Sequence, residues 1–385
     1  MVSQMVLLNL SNLPWVPGRL KRNQAIFQHL LDAAPCLEEG IYFNPPVLAG
    51  DGRQKYLRSV TRSVEATQTP GGKRVRVAQT TYNLWQWHVA AARTMLTAGT
   101  ARWLRDKILG GRPYLLWVNS AGRLQTPLAI HLRSGASKMV CDWSDDFRAP
   151  GFGMAVKHLE QLTAAADHLV CVNETVAKAF SHPSKIVMGN GTDAKQFSNW
   201  DPHFQMPPFL PKPSSQHYIG FVGGLDRTRL DTCLLEHLFG TFDRCKFLFV
   251  GYCDHPEMRR WLERFPNALF VPEVPYPELT HIIHSFDVAI VPHLDNVYTR
   301  GNDLLKVFDY LACGRAIVST DVSGVDKFAP FVTVTRSKFD FAKAVEDILA
   351  GQHIINREEA RKLALSHSWP VKASTLLPFL DFQCH

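Results

Sequence analysis

Short runs of aliphatic and β-branched residues alternate along the chain with longer amphipathic stretches. In the first half, the runs that predict buried strands are Val6–Leu10, Tyr114–Val118, Lys138–Asp142 and His168–Val172. In the second half they are Tyr218–Val222, Lys246–Val250, Asp287–Val291 and Ala316–Ser319, with helices predicted between them at Asp231–Phe239 and Leu304–Ala312. Apolar strands separated by helices are typical of parallel sheets. We therefore predict an α/β protein with two doubly wound, Rossmann-like parallel-sheet domains.

A cluster of five prolines separates the two series of strands. Such a density is incompatible with a helix or a central strand, so it predicts a connection between domains. We place a first domain at residues 1–197, the Pro-rich linker at 198–216 and a second domain at 217–365. A final helix over 366–385 is predicted to pack back toward the first domain. Ligands of open α/β sheets bind at the carboxyl ends of the strands, which predicts a site in a cleft between the domains.

The net charge of +7 is unevenly distributed. Residues 1–140 contain 18 Lys or Arg against six Asp or Glu, whereas the rest of the chain is mildly acidic. One interpretation is docking of the first half on an anionic membrane surface, and the other is a solvated basic face. The residues that suggest docking are Trp15, Arg19, Lys21, Arg22, Trp103, Arg105, Lys107 and Arg112.

No apolar run approaches the roughly 20 residues that a membrane-spanning helix needs, and the N-terminus has no signal-peptide pattern. We therefore expect a cytoplasmic protein, peripheral on the inner face of the membrane if the basic half docks there. The eight cysteines lack metal-ligand spacing, so we expect reduced thiols and no metal.

The segment from Gly220 to Asp231 predicts a strand that ends in two glycines and is followed by two arginines. Gly223 and Gly224 let main-chain N–H groups approach phosphate oxygens, and Arg227 and Arg229 can neutralise them. The competing interpretation is a tight turn with surface arginines. The three-glycine dinucleotide motif and the phosphate loop of ATPases are both absent, which disfavours dehydrogenases and ATPases.

The predicted helix after Leu304 has its apolar residues at the spacing of one buried side. Its N-terminus offers unpaired N–H groups and a positive dipole end to phosphate. Lys306 can balance phosphate charge, and Asp309, three residues later, can accept hydrogen bonds from ribose hydroxyls. The alternative for this pair is a surface ion pair.

This helix and its surroundings resemble the family 4-like retaining glycosyltransferases (glycosyltransferases group 1), in a branch that acts in surface polysaccharide assembly. Asp309 stands where that family has its ribose-binding glutamate. Further similar segments are Leu13–Trp15, Arg22–Gln24, Pro45–Pro46, Asp142–Asp146, Gly189–Asp193, Gly223–Asp231, Val274–Leu279, Asn302–Thr320 and His367–Trp369.

The resemblance implies the GT-B fold, with residues 1–197 as the acceptor-binding domain and residues 217–365 as the nucleotide-sugar-binding domain. It also implies a nucleoside-diphosphate sugar as co-substrate, favouring a UDP- or GDP-sugar, with no further cofactor. It implies that Arg229 and Lys306 act on the leaving diphosphate. The donor-binding residues it implies are Gly223, Gly224, Arg227, Val274, Asn302, Asp303, Leu304, Leu305 and Asp309. Gly301 occupies the place of an acid that contacts the transferred sugar in the family, and Asp303 is our candidate substitute.

Three carboxylates, Asp142, Asp145 and Asp146, follow a predicted strand of the first half. At the carboxyl edge of a sheet they can orient acceptor hydroxyls, act as a base, bind a metal or cap a helix. We predict that Asp145 and Asp146 orient the acceptor.

Together these features predict a retaining glycosyltransferase that moves a sugar from a nucleoside-diphosphate sugar to a hydroxyl of a glycan or lipid-linked glycan. The alternatives are a catalytically silent GT-B subunit, suggested by Gly301, and a sugar-nucleotide epimerase. We expect no nucleic-acid partner, because the basic half lacks a recognisable binding module.

Overall fold

The computed structural model describes residues 4–17, 21–49, 61–83, 89–148, 156–199, 210, 216–322, 324–352 and 355–381. Contacts between Cα atoms divide the chain into two compact units, residues 1–189 with 372–385 and residues 190–371. The predicted Pro-rich linker lies outside the described residues, apart from Ser198, Asn199, Leu210 and Gln216.

The described part of the first unit contains a nine-stranded sheet in the order β3-β5-β2-β1-β6-β7-β8-β9, with β4 paired antiparallel to β5 and every other pairing parallel. Its strands are Met5–Leu10 (β1), Leu37–Phe43 (β2), Val47–Ala49 (β3), Thr61–Gln68 (β4), Arg74–Asn83 (β5), Tyr114–Val118 (β6), Lys138–Trp143 (β7), His168–Cys171 (β8) and Lys185–Val187 (β9).

Helices of the first unit connect its parallel strands. They are Arg22–Ala33 (α1), Ala90–Trp103 (α2, continued by a π-helical turn at Leu104–Leu109), Gln125–Arg133 (α3), Val156–Ala165 (α4) and Glu174–Ala179 (α5). The four predicted strands of this half are confirmed to within two residues. The β4–β5 pair was missed because β4 is polar and almost wholly exposed, so it has no apolar run to mark it.

The described part of the second unit contains a six-stranded parallel sheet in the order β12-β11-β10-β13-β14-β15. The strands are Tyr218–Val222 (β10), Lys246–Gly251 (β11), Ala268–Pro272 (β12), Val288–Val291 (β13), Ala316–Thr320 (β14) and Val332–Thr335 (β15). The helices are Ala194–Ser198 (α6), Thr232–Thr241 (α7), Pro256–Leu262 (α8), Tyr276–His284 (α9), Leu305–Ala312 (α10), Lys338–Leu349 (α11) and Arg357–Ser366 (α12). A last helix, Trp369–Phe379 (α13), begins in this unit, and its residues from Lys372 onward group with the first unit.

Helices cover both faces of this second sheet, because alternate strand residues are buried on opposite sides. One core contains residues of α7, α8 and α11, and the other contains residues of α6, α9, α10 and α12. Phe197 of α6 is fully buried in the second of these cores. This packing explains why residues 190–197, which we predicted in the first domain, group with the second unit.

Two further findings concern the expectations drawn from composition. Cys36 is in a disulfide, so the expectation of eight reduced thiols is wrong for this residue. Among the described helices, none combines the length and the apolar character that crossing a membrane requires.

Candidate functional site

The glycine pair that follows β10 lies against the end of β11. Gly223 adopts a φ of +144°, and its N–H donates to the carbonyl of Val250 at 2.9 Å. The N–H of Gly223 is therefore already hydrogen-bonded within the sheet and is not available to a ligand. Gly223 can contribute to binding only by letting a ligand approach the main chain closely. The N–H of Gly224 has no hydrogen-bond partner in the described structure, and a Cβ at Gly224 would lie 2.6 Å from the Tyr252 ring.

Gly251, at the end of β11, keeps this turn compact. Its φ is +149°, and a Cβ there would lie 2.2 Å from the carbonyl oxygen of Gly223, a main-chain atom that no rotamer change can move. We expect Gly251→Ala to lower the free energy of unfolding by about 2 kcal/mol, the usual cost of forcing atoms into a packed site. Urea denaturation followed by circular dichroism measures the effect.

Gly240→Ala is the matched control for that substitution. A Cβ at Gly240, in α7, meets no heavy atom within 4 Å, and alanine is the better helix former. This variant should lose no stability. Equal stability of the two variants would show that the turn adapts to a Cβ at Gly251.

Main-chain hydrogen bonds join the arginine-bearing loop to the segment after β13. Asp231 donates its N–H to the Pro292 carbonyl at 2.9 Å, and Leu294 donates to the Arg229 carbonyl at 2.8 Å. Arg227 is exposed, whereas Arg229 is partly buried. Within the described residues, no hydrogen bond or ion pair engages the Arg229 guanidinium.

Lys306, in the first turn of α10, lies beside this loop. Its Nζ donates to His293 Nε2 at 3.0 Å and sits 4.1 Å from the centre of the Phe221 ring. Burial, and then the charge of Arg229, lowers the pKa of Lys306 to about 7. Among the described carboxylates none forms an ion pair with this ammonium.

Two cations that lie close together without a carboxylate repel each other, and an anion between them removes the repulsion. The N-terminus of α10 adds a positive dipole end, and the α10 residue Tyr310 ties the helix to β10, its hydroxyl accepting from the Val222 N–H at 2.7 Å. The arrangement therefore suits a multiply charged anion such as a diphosphate.

His293 was not among the residues predicted from sequence. It follows β13, is only 6% exposed and contacts Lys306 directly. Burial, and then the charges of Lys306 and Arg229, holds its pKa well below the usual range. Its position just beyond a strand of a parallel sheet is the signal that could have identified it, because ligands bind at that edge.

The other predicted donor residues flank this centre or lie along the same edge of the sheet. Leu304 is buried in the core beneath α10, while Asn302 and Leu305 are partly buried. Val274, just after β12, is partly buried against the core that includes α9. Their predicted contacts with the nucleotide stay predictions.

Asp303 is engaged by its own unit. Its carboxylate accepts from the Asn190 N–H and from Lys327 Nζ, and its carbonyl accepts from Asn190 Nδ2 at 3.1 Å. The side chain is 2% exposed. In this arrangement the carboxylate is bonded to Asn190 and Lys327. To contact a transferred sugar, Asp303 would have to give up one of these hydrogen bonds.

Asp309 is also buried, with 3% of its surface exposed. It accepts a hydrogen bond from the Thr192 hydroxyl at 2.6 Å. Burial raises the pKa of Asp309 to about 8, although this hydrogen bond opposes the shift. At neutral pH the group is therefore mainly a neutral acid, and its predicted role toward ribose stays a prediction.

The three aspartates of the first unit have different surroundings. Asp142 is fully buried and receives Arg22 Nη2 at 2.8 Å and Asn119 Nδ2 at 3.1 Å. Asp146 accepts two hydrogen bonds from the Arg148 side chain; burial alone would raise the pKa of Asp146, but these bonds hold it below its usual value.

Asp145 lies between these two aspartates in sequence and is partly buried. Its carbonyl accepts from the Phe147 N–H at 3.0 Å, which closes a turn after β7. Asp145 and Asp146 thus follow the end of β7, whereas Asp142 lies within the strand and is paired with Arg22. Within the described part of the chain, no group of three or more His, Cys, Asp or Glu is arranged to hold a metal ion.

Comparison with known proteins agrees with the geometry of the second unit. Residues 216–351 match the family described as "Glycosyl transferases group 1". A Bacillus subtilis (strain 168) protein named "Putative teichuronic acid biosynthesis glycosyltransferase TuaH" is 25% identical over 175 residues, which cover 43% of this chain and 44% of that protein. The alignment thus spans less than half the length of this relative. The predicted resemblance to glycosyltransferases is confirmed.

Solved structures resemble the whole chain at low sequence identity. An OtsA apo structure has a TM-score of 0.69 at 14% identity, covering 98% of this chain and 99% of its own. Sucrose-phosphate synthase from Thermosynechococcus elongatus has a TM-score of 0.70 at 15% identity, covering 98% of both chains. A UDP-forming trehalose-phosphate synthase from Burkholderia vietnamiensis has a TM-score of 0.67 at 13% identity, covering 100% and 98%. These likenesses confirm the predicted GT-B fold.

Proposed function

We propose that this chain is a glycosyltransferase that moves a sugar from a nucleoside-diphosphate sugar to a hydroxyl of a glycan or lipid-linked glycan in surface polysaccharide synthesis. The observation that carries the proposal is the pairing of Arg229 and Lys306, two cations without a described carboxylate partner beside a glycine turn. Both lie within the segment that matches glycosyl transferases group 1. The polysaccharide assignment is supported by the name of the Bacillus relative.

The chemistry requires stabilisation of the charge that builds on the departing diphosphate. Groups held in place before the reaction are the most effective, because they need no reorganisation as the bond breaks. Lys306 is held between His293 and the Phe221 ring, and Arg229 by a loop bonded to the segment after β13. We propose that these two residues act on the leaving group, and that Gly224 offers its amide.

We further propose that the reaction retains the anomeric configuration, as the family resemblance implies, and that Asp145 and Asp146 orient the acceptor. The ion pair with Arg148 keeps Asp146 ionised, which suits a group that accepts hydrogen bonds from hydroxyls. The co-substrate we favour is a UDP- or GDP-sugar, with no other cofactor. The phrase "UDP-forming" in the name of a structural neighbour makes UDP the first nucleotide to test.

A thermal-shift screen of UDP, GDP and dTDP with their common sugars, followed by transfer assays with labelled donors, tests this proposal. A bound nucleotide raises the apparent stability by mass action, and transfer to a lipid-linked or soluble glycan identifies the enzyme. Binding without transfer to any acceptor would favour a catalytically silent subunit, as Gly301 suggests. Conversion of the free donor without an acceptor would indicate an epimerase.

Diphosphate binding should be coupled to proton uptake. At pH 8 the side chain of Lys306, with a pKa of about 7, is mostly neutral, and a bound diphosphate stabilises its charged form. We expect uptake of about one proton at pH 8, and binding that weakens as the pH rises above 7. Calorimetry with UDP and GDP in buffers of different ionisation enthalpy measures the proton uptake. At pH 8 the phosphates of the ligand are already ionised and take up no proton themselves. Lys306→Met should abolish the uptake, and unchanged uptake in that variant would assign the proton to another group.

We also propose that the first unit docks on an anionic membrane surface from the cytoplasmic side. Of the basic residues that suggested docking, Arg19 lies outside the described residues. Arg22 is buried against Asp142, and Arg112 pairs with Glu38 and Glu39. Near the end of α2, Arg102 and Lys107 are exposed and Arg105 is partly buried.

Each cation near an anionic leaflet contributes about 1 kcal/mol. Changing Arg102, Arg105 and Lys107 together to glutamine should therefore reduce sedimentation with phosphatidylserine-containing liposomes at low salt by about 100-fold in partition coefficient. A control variant that changes Lys343 and Lys362, exposed lysines of the second unit, to glutamine should bind as wild type. Failure of the wild type to sediment would overturn the docking proposal.

A further inference from the structure

His293 is built into the proposed diphosphate site from two directions. Its main chain forms an antiparallel bridge with Leu230, and its carbonyl accepts the Thr320 hydroxyl at 2.6 Å. Its ring lies edge-on to Phe221, with ring centres 6.0 Å apart. Hydrogen bonds therefore hold the main chain of His293 in place, and its imidazole lies against an aromatic ring.

The ammonium of Lys306 has three N–H donors, and the structure accounts for two directions around it. One N–H is donated to His293 Nε2 at 3.0 Å, and Nζ faces the Phe221 ring at 4.1 Å. A Cβ at Gly223 would lie 3.0 Å from Nζ, so only glycine leaves this side open. The third donor is the one available to an anion beside the glycine turn.

Acceptance at Nε2 places the imidazole proton on Nδ1. That atom is buried and has no hydrogen-bond partner in the described structure. The charged groups that act on the ring are Lys306 and Arg229. His293 also borders a cavity of about 240 Å³, whose other charged lining residues are Asp231, Asp295, Asp321, Arg336 and Lys338. Two adjacent cations and deep burial keep the ring neutral, so it serves as an acceptor.

We propose that His293 is a positioning residue for the transfer reaction, which orients the ammonium of Lys306 through Nε2 so that its free donor meets the leaving diphosphate. The inference rests on the proposed function and adds to it a residue outside the glycine turn and helix α10. It predicts that His293 acts through Lys306 and not through the substrate directly.

Two polar replacements separate this role from a merely structural one. The side-chain oxygen of His293→Gln can occupy the place of Nε2, whereas that of His293→Asn is too short to reach Lys306. We expect His293→Asn to weaken UDP or GDP binding about tenfold, the loss of one hydrogen bond to a charged group, and His293→Gln to stay within about threefold of wild type. Calorimetry at pH 7 measures both, and urea denaturation checks that both fold.

The pH profile and a double-mutant cycle provide the decisive readouts. Loss of the acceptor disfavours charged Lys306, so in His293→Asn the decline of affinity with pH should begin below pH 7. In a Lys306→Met background, His293→Asn should have no further effect on binding or turnover. Additive effects in that background, or equal damage by asparagine and glutamine, would overturn the inference while leaving the proposed function intact. A wild-type protein that binds no nucleoside diphosphate would overturn both.

Discussion

Replacing Asp142 by alanine is expected to lower the free energy of unfolding by about 3–5 kcal/mol, the cost of leaving a buried charge unpaired. Asp142 is 0% exposed and Arg22 is 5% exposed, and they are joined by a contact of 2.8 Å between Nη2 and Oδ1. Without the carboxylate, the guanidinium of Arg22 stays in the interior with its charge uncompensated. Urea denaturation of the wild type and the variant measures the difference.

An exposed pair and a double replacement control this prediction. Asp321→Ala removes an aspartate paired with Arg336 at 2.7 Å on the surface, where solvent screens the interaction, and should change stability far less. Replacing both buried partners, with Arg22→Met and Asp142→Leu, should recover most of the loss, because no buried charge remains. An Asp142→Ala variant as stable as the Asp321→Ala variant would show that Arg22 reaches solvent once its partner is removed.

Replacing Lys306 by alanine should reduce turnover by about 10²-fold at saturating donor, the usual effect of removing one preorganised donor to a developing negative charge. The ammonium has no described carboxylate partner, so its charge is available to the leaving diphosphate. Initial rates of sugar transfer from a labelled donor measure this effect. The binding of free UDP or GDP should weaken in the same variant.

Lys343→Ala is the matched control, because Lys343 is an exposed lysine of the same unit, paired with Glu346 and Asp347 on α11. It should keep wild-type turnover. If Lys306→Ala also turned over at nearly the wild-type rate, Lys306 would have no part in stabilising the leaving group, and Arg229 would become the principal candidate.

Hydrophobic periodicity was sufficient to predict eight of the parallel strands and the helix at α10. Strands such as β6 and β10 match their predicted bounds because both faces are buried, so nearly every residue is apolar. The same signal cannot reveal β4, because its residues face solvent and it has no apolar run. It is a strand because it pairs antiparallel with β5. Such pairing depends on the folded sheet, and the local sequence of β4 contains no pattern that predicts it.

The candidate site divides in a similar way. The glycine turn, Arg229 and Lys306 could be proposed from sequence, because a diphosphate requires close main-chain approach and positive charge near a helix N-terminus. His293, by contrast, lies 13 residues from Lys306 in sequence and became part of the site only through their hydrogen bond.

Charged residues show most clearly what the sequence determined and what the tertiary structure decided. The sequence determined that Asp142 lies near the end of a strand, Asp303 just before a helix and Asp309 within that helix. The folded chain decided their partners: Arg22 for Asp142, 120 residues away, Asn190 and Lys327 for Asp303, and Thr192 for Asp309. The reason is physical, since local periodicity reflects which face of an element is buried, whereas the state of a charge depends on burial and on neighbours that packing brings from distant parts of the chain.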